Sequence, residues 1–303
     1  PPMYPTITPA TLAFDADGRP SSPCLDDASH AGGPGAVLQI LRACHGLPSR
    51  WGGREAFTIV ESGFGLGLRF LVTWSAWRAD PARSRRLHFV AIEEHPFSAA
   101  DLARLQAAWP ELDALAAELR GQWPALLPGV HRLSFDGGRV ALDLIFGDPV
   151  DALAQLEARA DAFHLDRLAS GGGEPLVRLA APGATLAAWA VGEGAGQALQ
   201  AAGFVVVQEE GAAGHRPVLM GRFAGDAVPP AAVDRRALVI GAGVAGTSVA
   251  ERLAARGWRV AVIDEADGPG QGASGNKAGV FRPLPSLDDN RLARITRAGF
   301  LYG

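Results

Sequence analysis

Two glycine-rich turns, each between a predicted strand and a predicted helix, constrain the fold of this chain more than any other feature. The first runs from Glu61 to Gly67 and the second from Gly241 to Gly246. Such a turn lets the backbone approach a ligand closely and directs free N–H groups at it from a helix N-terminus. Two of them predict two cofactor sites in one polypeptide.

The order of predicted elements indicates an α/β fold with a doubly wound, largely parallel sheet, because strands and helices alternate from residue 57 onward. Predicted strands cover 57–61, 87–93, 140–146, 162–165 and 185–191, and a closing hairpin covers 205–208 and 217–223. Predicted helices cover 66–78, 98–109, 112–122, 150–160 and 195–202, with Ser98 as the N-cap of the second. Residues 1–50 are rich in Pro, Gly and Ser, so irregular structure or short strands are expected there.

A second β-α-β unit follows a short linker. Residues 225–235 contain Pro229 and Pro230 and have the composition of a linker. Strands predicted at 237–240 and 259–263 enclose a helix at 245–256. We therefore predict a first domain over 1–224, with 1–56 as an N-terminal extension. Residues 236–303 are predicted to be an incomplete dinucleotide-binding domain, truncated before its remaining strands.

Composition and charge exclude several classes of protein. The chain has 303 residues and lacks an apolar run near the ~20 residues that a membrane helix needs. Its two cysteines, Cys24 and Cys44, form no disulfide framework, so we expect a cytoplasmic protein. The net charge of −4 argues mildly against a surface devoted to nucleic acid, although Arg83, Arg85 and Arg86 form either a local contact patch or a solvated rim. We expect a monomer with no metal site and no membrane contact.

Three acidic residues at the ends of successive predicted strands indicate the ligand of the first turn. Glu61 ends the first strand, Glu93 ends the second, and Asp148 follows the third. Carboxylates at these places can bind an amino group, ribose hydroxyls and an adenine amine. The turn resembles motif I of class I methyltransferases, which use S-adenosylmethionine (SAM). The residues predicted to bind SAM are Glu61, Gly63, Gly65, Gly67, Glu93 and Asp148; another nucleotide or a merely structural loop is the alternative.

Asp166 is the candidate catalytic residue. It follows the fourth predicted strand, where a carboxylate would face the sulfonium methyl group of SAM. There it could orient an amine and accept its proton, since the amine must be neutral when it attacks. The alternative is that Asp166 only caps the following loop. His164 is expected to face the sheet rather than to act as a base.

The second turn has the spacing of a dinucleotide-binding fingerprint. Gly241, Gly243 and Gly246 lie between a strand and a helix, and Asp264 ends the next strand, where an acid binds ribose. The small, polar stretch that follows, with Ser274 and Asn276, suits a loop against a pyrophosphate or flavin. FAD is therefore favoured over NAD.

The order of these motifs resembles one known family. Besides the two turns, the shared segments are Trp109-Pro110-Glu111-Leu112, Trp123-Pro124, Leu127-Pro128-Gly129, Asp136-Gly137-Gly138, Phe146-Gly147-Asp148 and Ala273-Ser274-Gly275-Asn276. The chain is similar to bifunctional tRNA 5-methylaminomethyl-2-thiouridine biosynthesis proteins, from about Ile7 to its last residue. The resemblance implies a class I methyltransferase domain with a Rossmann-like sheet, followed by the first β-α-β unit of an FAD-binding Rossmann domain.

The resemblance also implies an activity on the wobble uridine of tRNA. In this family the FAD domain, an oxidoreductase, removes a carboxymethyl group from the modified uridine. The methyltransferase domain then methylates the resulting aminomethyl nitrogen with SAM, and Asp166 corresponds to an acid beside the target amine. The ADP part of FAD would lie against Gly241, Gly243, Gly246 and Asp264.

Several residues depart from the family pattern. Arg69 replaces a usual Asn, His45 replaces another Asn, and residues 167–173 differ from the usual segment after Asp166. The stretch 214–217 carries fewer cations than usual. Two other interpretations therefore stay open: a catalytically eroded module that still binds SAM or tRNA, and a small-molecule N-methyltransferase.

Overall fold

A computed structural model describes residues 6–14, 20–21, 33–168, 173–209, 218–225 and 234–302. The chain forms two compact units. The first comprises Pro1–Ala227 together with Leu284–Gly303, and the second comprises Val228–Pro283. Cys24, the tip of the predicted closing hairpin and most of the predicted linker lie outside the described residues.

The first unit is built on an eight-stranded sheet in the order β5-β6-β4-β3-β7-β8-β10-β9. A separate short pair joins β1 (Ala13–Phe14) to β2 (Pro20–Ser21). The strands of the large sheet are β3 (Ala56–Ser62), β4 (Arg86–Glu93), β5 (Gly129–Phe135), β6 (Val140–Phe146), β7 (Ala160–Leu168), β8 (Ala180–Val191), β9 (Phe204–Glu209) and β10 (Val218–Phe223).

The middle of this sheet is parallel and its edges are antiparallel. Strands β6, β4, β3, β7 and β8 run parallel, while β5 pairs antiparallel with β6, and β10 pairs antiparallel with both β8 and β9. The order of the strands reverses between β3 and β7. In an open α/β sheet a ligand binds at such a reversal, beside the carboxyl ends of the strands. The predicted α/β class and the doubly wound sheet are confirmed.

Helices cover both faces of the sheet. They are α1 (Gly33–His45), α2 (Leu68–Ala79), α3 (Ala99–Gln106), α4 (Asp113–Gly121), α5 (Pro149–Gln155), α6 (Gly173–Leu179), α7 (Ala195–Ala201) and α9 (Arg291–Tyr302). One core cluster joins the sheet to α1, α2, α3 and α4, and a second joins the opposite face to α6 and α7. None of the described helices is long and apolar enough to cross a lipid bilayer.

Helix α1 corrects the expectation that residues 1–50 lack helical structure. Its buried side chains, Val37, Leu41 and His45, recur at every fourth position and therefore lie on one helical face. The glycines and proline at its start suggested a loop. However, Gly33 adopts a positive φ of 62° at the first position of the helix, and Pro34 is compatible with a first helical turn.

Strand β5 and helix α6, like helix α9, were not expected from the sequence. Strand β5 alternates exposed and buried side chains at the edge of the sheet. Helix α6 precedes β8, which begins at Ala180, five residues earlier than predicted. The predicted helix over 150–160 is shorter and ends at Gln155, where Arg178 donates to the carbonyl oxygens of Leu153 and Leu156. Ser98 is confirmed as a helix N-cap: its hydroxyl accepts from the Asp101 N–H at 3.1 Å.

The second unit is a β-α-β arrangement. Strand β11 (Arg236–Ile240) pairs in parallel with β12 (Arg259–Ile263), and α8 (Val244–Ala255) connects them. Several apolar side chains of this unit are largely exposed, including Ile240 and Val244. Helix α9 belongs instead to the first compact unit, where it packs against β5. The domain boundaries predicted from sequence therefore remain a prediction.

Candidate functional site

The first glycine turn lies at the carboxyl end of β3, where the order of the sheet reverses. The Gly63 N–H donates to the Ile92 carbonyl of β4 at 2.8 Å, and the Gly67 N–H donates to the Phe64 carbonyl at 2.9 Å. Positive φ values of 89°, 54° and 72° occur at Gly63, Gly65 and Gly67. Residues with a side chain rarely adopt such angles, so the backbone conformation of the turn explains why glycine occupies all three positions.

Glu93 fixes the shape of the turn from the neighbouring strand. One of its carboxylate oxygens accepts from the Gly65 N–H at 2.8 Å, and the other accepts from the His95 N–H at 2.8 Å. Each carboxylate oxygen has a second lone pair that can accept from a ligand hydroxyl. Binding of ribose by Glu93 stays a prediction, and this position is compatible with it.

Glu61 and Asp166 are brought together by a residue whose role the sequence did not reveal. Arg69, in the first turn of α2, donates through Nε to Glu61 and through Nη2 to Asp166. Nη2 also donates to the Gly63 carbonyl at 3.1 Å. The side chains of Glu61 and Arg69 are 0% and 6% exposed, whereas that of Asp166 is 20% exposed. One buried cation is thus shared by two carboxylates at the head of the turn.

Burial and charge set the ionisation of this cluster. Burial raises the pKa of Glu61 to about 7, although Arg69 beside it opposes the rise. Burial alone would lower the pKa of Arg69, but Asp166 and Glu61 outweigh it, so that pKa is raised. Arg69 therefore stays charged, while Glu61 titrates near neutral pH. Glu61 Oε2 is buried and has no hydrogen-bond partner among the described residues.

The raised pKa of Glu61 predicts a pH-dependent stability of the ligand-free protein. The folded state binds the Glu61 proton more tightly than the unfolded state, so stability is greatest below pH 4.5 and is lost as pH rises through about 7. This one group is expected to remove on the order of 3 kcal/mol of the unfolding free energy between those limits. Urea denaturation at pH 5 and pH 8 measures this change in unfolding free energy. The difference between the two pH values should be smaller in Glu61→Gln; an unchanged difference would contradict the assignment.

Asp148 lies at the end of the third parallel strand, as predicted, and also caps a helix. It is exposed, and its Oδ1 accepts from the N–H groups of Val150 and Asp151, both at 2.9 Å. Asp148 follows β6, whose Phe146 pairs with Glu93. Its predicted contact with adenine remains a prediction.

Asp166 is not at the end of its strand, because β7 continues to Leu168. Its Oδ2 lies above the glycine turn: a Cβ atom built on Gly63 would be only 2.2 Å away. Residues 169–172, which depart from the family pattern, lie outside the described residues. The catalytic role of Asp166 therefore stays a prediction.

His164 is buried between Trp189 and His45. Its ring stacks on Trp189 at 6.2 Å and meets His45 edge-on at 4.5 Å. Burial, followed by the charges of His45 and Arg69, holds the pKa of His164 well below its ordinary value. The ring is therefore neutral at physiological pH, which agrees with the expectation that His164 is a residue of the sheet rather than a base.

The second glycine turn has the geometry of a nucleotide-binding turn. A Cβ atom on Gly246 would lie 1.8 Å from the Gly241 carbonyl oxygen, so no side chain fits there. Asp264 accepts from the Ala242 N–H at 2.6 Å, and the Ser274 hydroxyl accepts from the Val244 N–H at the start of α8 at 3.1 Å. The N-terminus of α8 suits a pyrophosphate, and the Asp264 carboxylate suits a ribose hydroxyl. The contacts of this turn with FAD, including those of Gly243 and Asn276, stay predictions.

Two family models match parts of the chain. Residues 110–170 match the family described as S-adenosyl-L-methionine-dependent methyltransferase. Residues 236–302 match the family described as FAD dependent oxidoreductase. The first range contains Asp148 and Asp166, and the second contains the whole second turn.

Curated relatives extend the similarity to nearly the whole chain. The tRNA 5-methylaminomethyl-2-thiouridine biosynthesis bifunctional protein MnmC of Azoarcus sp. (strain BH72) is 58% identical over 98% of this chain and 49% of the relative. Nearly the whole chain is thus similar to about half of a bifunctional protein of this family. The protein of the same name from Aromatoleum aromaticum is 56% identical, again over 98% of this chain and 49% of the relative. The chain spans about half the length of the curated relatives it matches.

A solved structure of a related protein agrees with the fold. MNMC2 from Aquifex aeolicus superposes with a TM-score of 0.51 at 19% identity, covering 75% of this chain and 73% of that one. The resemblance predicted from the sequence motifs is confirmed, as are the two kinds of cofactor domain that it implies.

Proposed function

We propose that this chain carries the SAM-dependent methyltransferase activity of a tRNA wobble-uridine modification enzyme. The reaction would convert 5-aminomethyl-(2-thio)uridine to 5-methylaminomethyl-(2-thio)uridine. The observation that carries this proposal is the convergence of Glu61 and Asp166 at the glycine turn, because one carboxylate can bind the ammonium of the donor while the other orients the attacking amine and accepts its proton. The names of relatives 56–58% identical to the chain support the choice of tRNA as substrate.

The residues present fit SAM. Bound SAM would supply an electrophilic methyl group on a sulfonium. Glu61 offers a buried, unpartnered oxygen to an ammonium group, and Glu93 keeps the turn in shape through the Gly65 N–H. Arg69 holds Oδ1 of Asp166, and Oδ2 lies beside Gly63, so this carboxylate is placed at the turn where an attacking amine would approach the donor. Since Asp166 is partly exposed, a proton that it takes up can pass to water.

The second unit is proposed to form part of an FAD site. Its turn, with Asp264 and Ser274, would bind the ADP end of the cofactor. In the whole protein, the FAD-dependent domain is proposed to remove the carboxymethyl group of the uridine precursor. We place the protein in the cytoplasm, where its tRNA substrate would be modified, and propose that it acts as a monomer.

One observation favours a second candidate function. Arg69 already forms an ion pair with Asp166 as well as with Glu61, and an ion-paired carboxylate is a weaker base, so the site could bind SAM without transferring its methyl group. In that case the chain would be a binding module that has kept its fold and lost catalysis.

A single-turnover assay tests the proposed function. The protein is mixed with methyl-labelled SAM and tRNA that carries 5-aminomethyl uridine at the wobble position, and label in tRNA is followed over time. We expect label in this tRNA and none in the same tRNA with an unmodified wobble uridine. Binding of SAM without transfer would favour the binding module. Transfer to free small amines but not to tRNA would indicate a small-molecule N-methyltransferase.

A further inference from the structure

The Glu61–Arg69 pair keeps one hydrogen-bonding atom free on each partner. Oε2 of Glu61 is buried and accepts no hydrogen bond from the described residues. On Arg69, Nε and Nη2 are bound to Glu61, Asp166 and Gly63, whereas Nη1 makes no hydrogen bond within the described part of the chain. A free acceptor and a free donor therefore remain on one ion pair at the head of the glycine turn.

An α-amino acid group has the matching arrangement of charges. Its ammonium donates and its carboxylate accepts, and both sit on one carbon atom. An arginine presents a planar set of donors that suits a carboxylate, and charge-assisted hydrogen bonds are stronger than neutral ones. Because Glu61 and Arg69 are nearly inaccessible to water, a bond formed there is screened less than one at the surface.

Arg69 is also held in one orientation before any ligand arrives. Its guanidinium carbon lies 5.0 Å from the centre of the Trp189 ring, and its Nη2 is bound to Asp166 and Gly63. A pre-positioned donor loses little conformational freedom on binding, which favours affinity.

We propose that Arg69 is a specificity-determining residue that binds the carboxylate of the methyl donor's amino-acid end, while Glu61 binds its ammonium. The inference rests on the proposed use of SAM at this turn. Arg69 would recognise one chemical group, the carboxylate. The site would therefore bind methyl donors that have this carboxylate more tightly than donors that lack it.

A comparison of ligands with the unmodified protein tests this without any substitution. Isothermal titration calorimetry would compare SAM with decarboxylated SAM, which keeps the amino group and the sulfonium. We expect SAM to bind about 10- to 100-fold more tightly, the size of one charge-assisted interaction. Equal affinities, or no binding of SAM, would overturn the proposal.

Substitution of Arg69 should remove this preference selectively. In Arg69→Gln the affinity for SAM should fall by about 10- to 100-fold, whereas that for decarboxylated SAM should change much less. Arg69→Lys should restore part of the preference, because it keeps the charge without the planar fork. Arg78→Gln, on the exposed side of the same helix, is the matched control and should bind both ligands as the unmodified protein does. An equal loss for both ligands in Arg69→Gln would show that Arg69 only maintains the structure.

The outcomes separate this inference from the proposed function. If the preference for the carboxylate is present but tRNA receives no methyl group, the proposed reaction fails and the role of Arg69 stands. If tRNA is methylated but SAM and decarboxylated SAM bind equally, the role of Arg69 fails and the proposed reaction stands.

Discussion

Replacing Asp166 with asparagine is expected to slow methyl transfer by about 10²- to 10⁴-fold, the usual contribution of a general base. Asparagine has nearly the same shape but cannot take up the proton of the attacking amine. The ion pair between Arg69 and Glu61 does not depend on Asp166, so SAM should still bind within a few-fold of its normal affinity. Single-turnover rates with labelled SAM and aminomethyl tRNA measure the first effect, and calorimetry measures the second.

Asp151→Asn provides the control for the Asp166 variant. Asp151 is an exposed aspartate in the first turn of α5, so the same substitution there should leave the rate unchanged. A rate for Asp166→Asn within tenfold of normal would exclude Asp166 as the proton acceptor. It would then support the alternative interpretation, in which this carboxylate is only a structural partner of Arg69.

The acids of the candidate site could be placed from the sequence because a parallel sheet makes position along the chain informative. Each buried apolar run ends at the same edge of the sheet, so Glu61, Glu93 and Asp148 can be placed at or just beyond the carboxyl ends of neighbouring strands. The glycines between strand and helix located that edge closely enough to choose the cofactor class. No knowledge of side-chain contacts was needed for either step.

The role of Arg69 could not be predicted, because it depends on contacts between three separate elements. The sequence shows an arginine just after the turn, but α2, β3 and β7 must come together before it can bridge Glu61 and Asp166. Helix α1 was missed for a different reason. The glycines and proline at its start have unfavourable local propensity, and packing of Val37 and Leu41 against the core outweighs it.

Gly63→Ala is expected to damage both the fold and the donor site. Gly63 has a φ of +89°, and the added Cβ would lie 2.2 Å from Asp166 Oδ2 and 2.9 Å from Asp166 Cγ. Asp166 would have to move, and its ion pair with Arg69 would be lost or distorted. Together with the backbone strain, this should lower the unfolding free energy by about 3 kcal/mol or more. A similar penalty on the binding-competent turn would weaken SAM binding by about 10²-fold.

Gly53→Ala is the control that separates the effect of backbone strain at a positive φ from the effect of a steric clash with a neighbouring side chain. Gly53 also has a positive φ, of +69°, but a Cβ atom added there would meet no heavy atom of the described residues within 4 Å, apart from its own neighbours in the chain. The unfolding free energy of Gly53→Ala should therefore fall only by the cost of the unfavourable backbone angle, about 1 kcal/mol, and the variant should bind SAM normally. Urea denaturation and calorimetry on both variants give the comparison. Equal losses of stability would mean that the collision with Asp166 contributes nothing; normal SAM affinity in Gly63→Ala would mean that the donor does not bind across this turn.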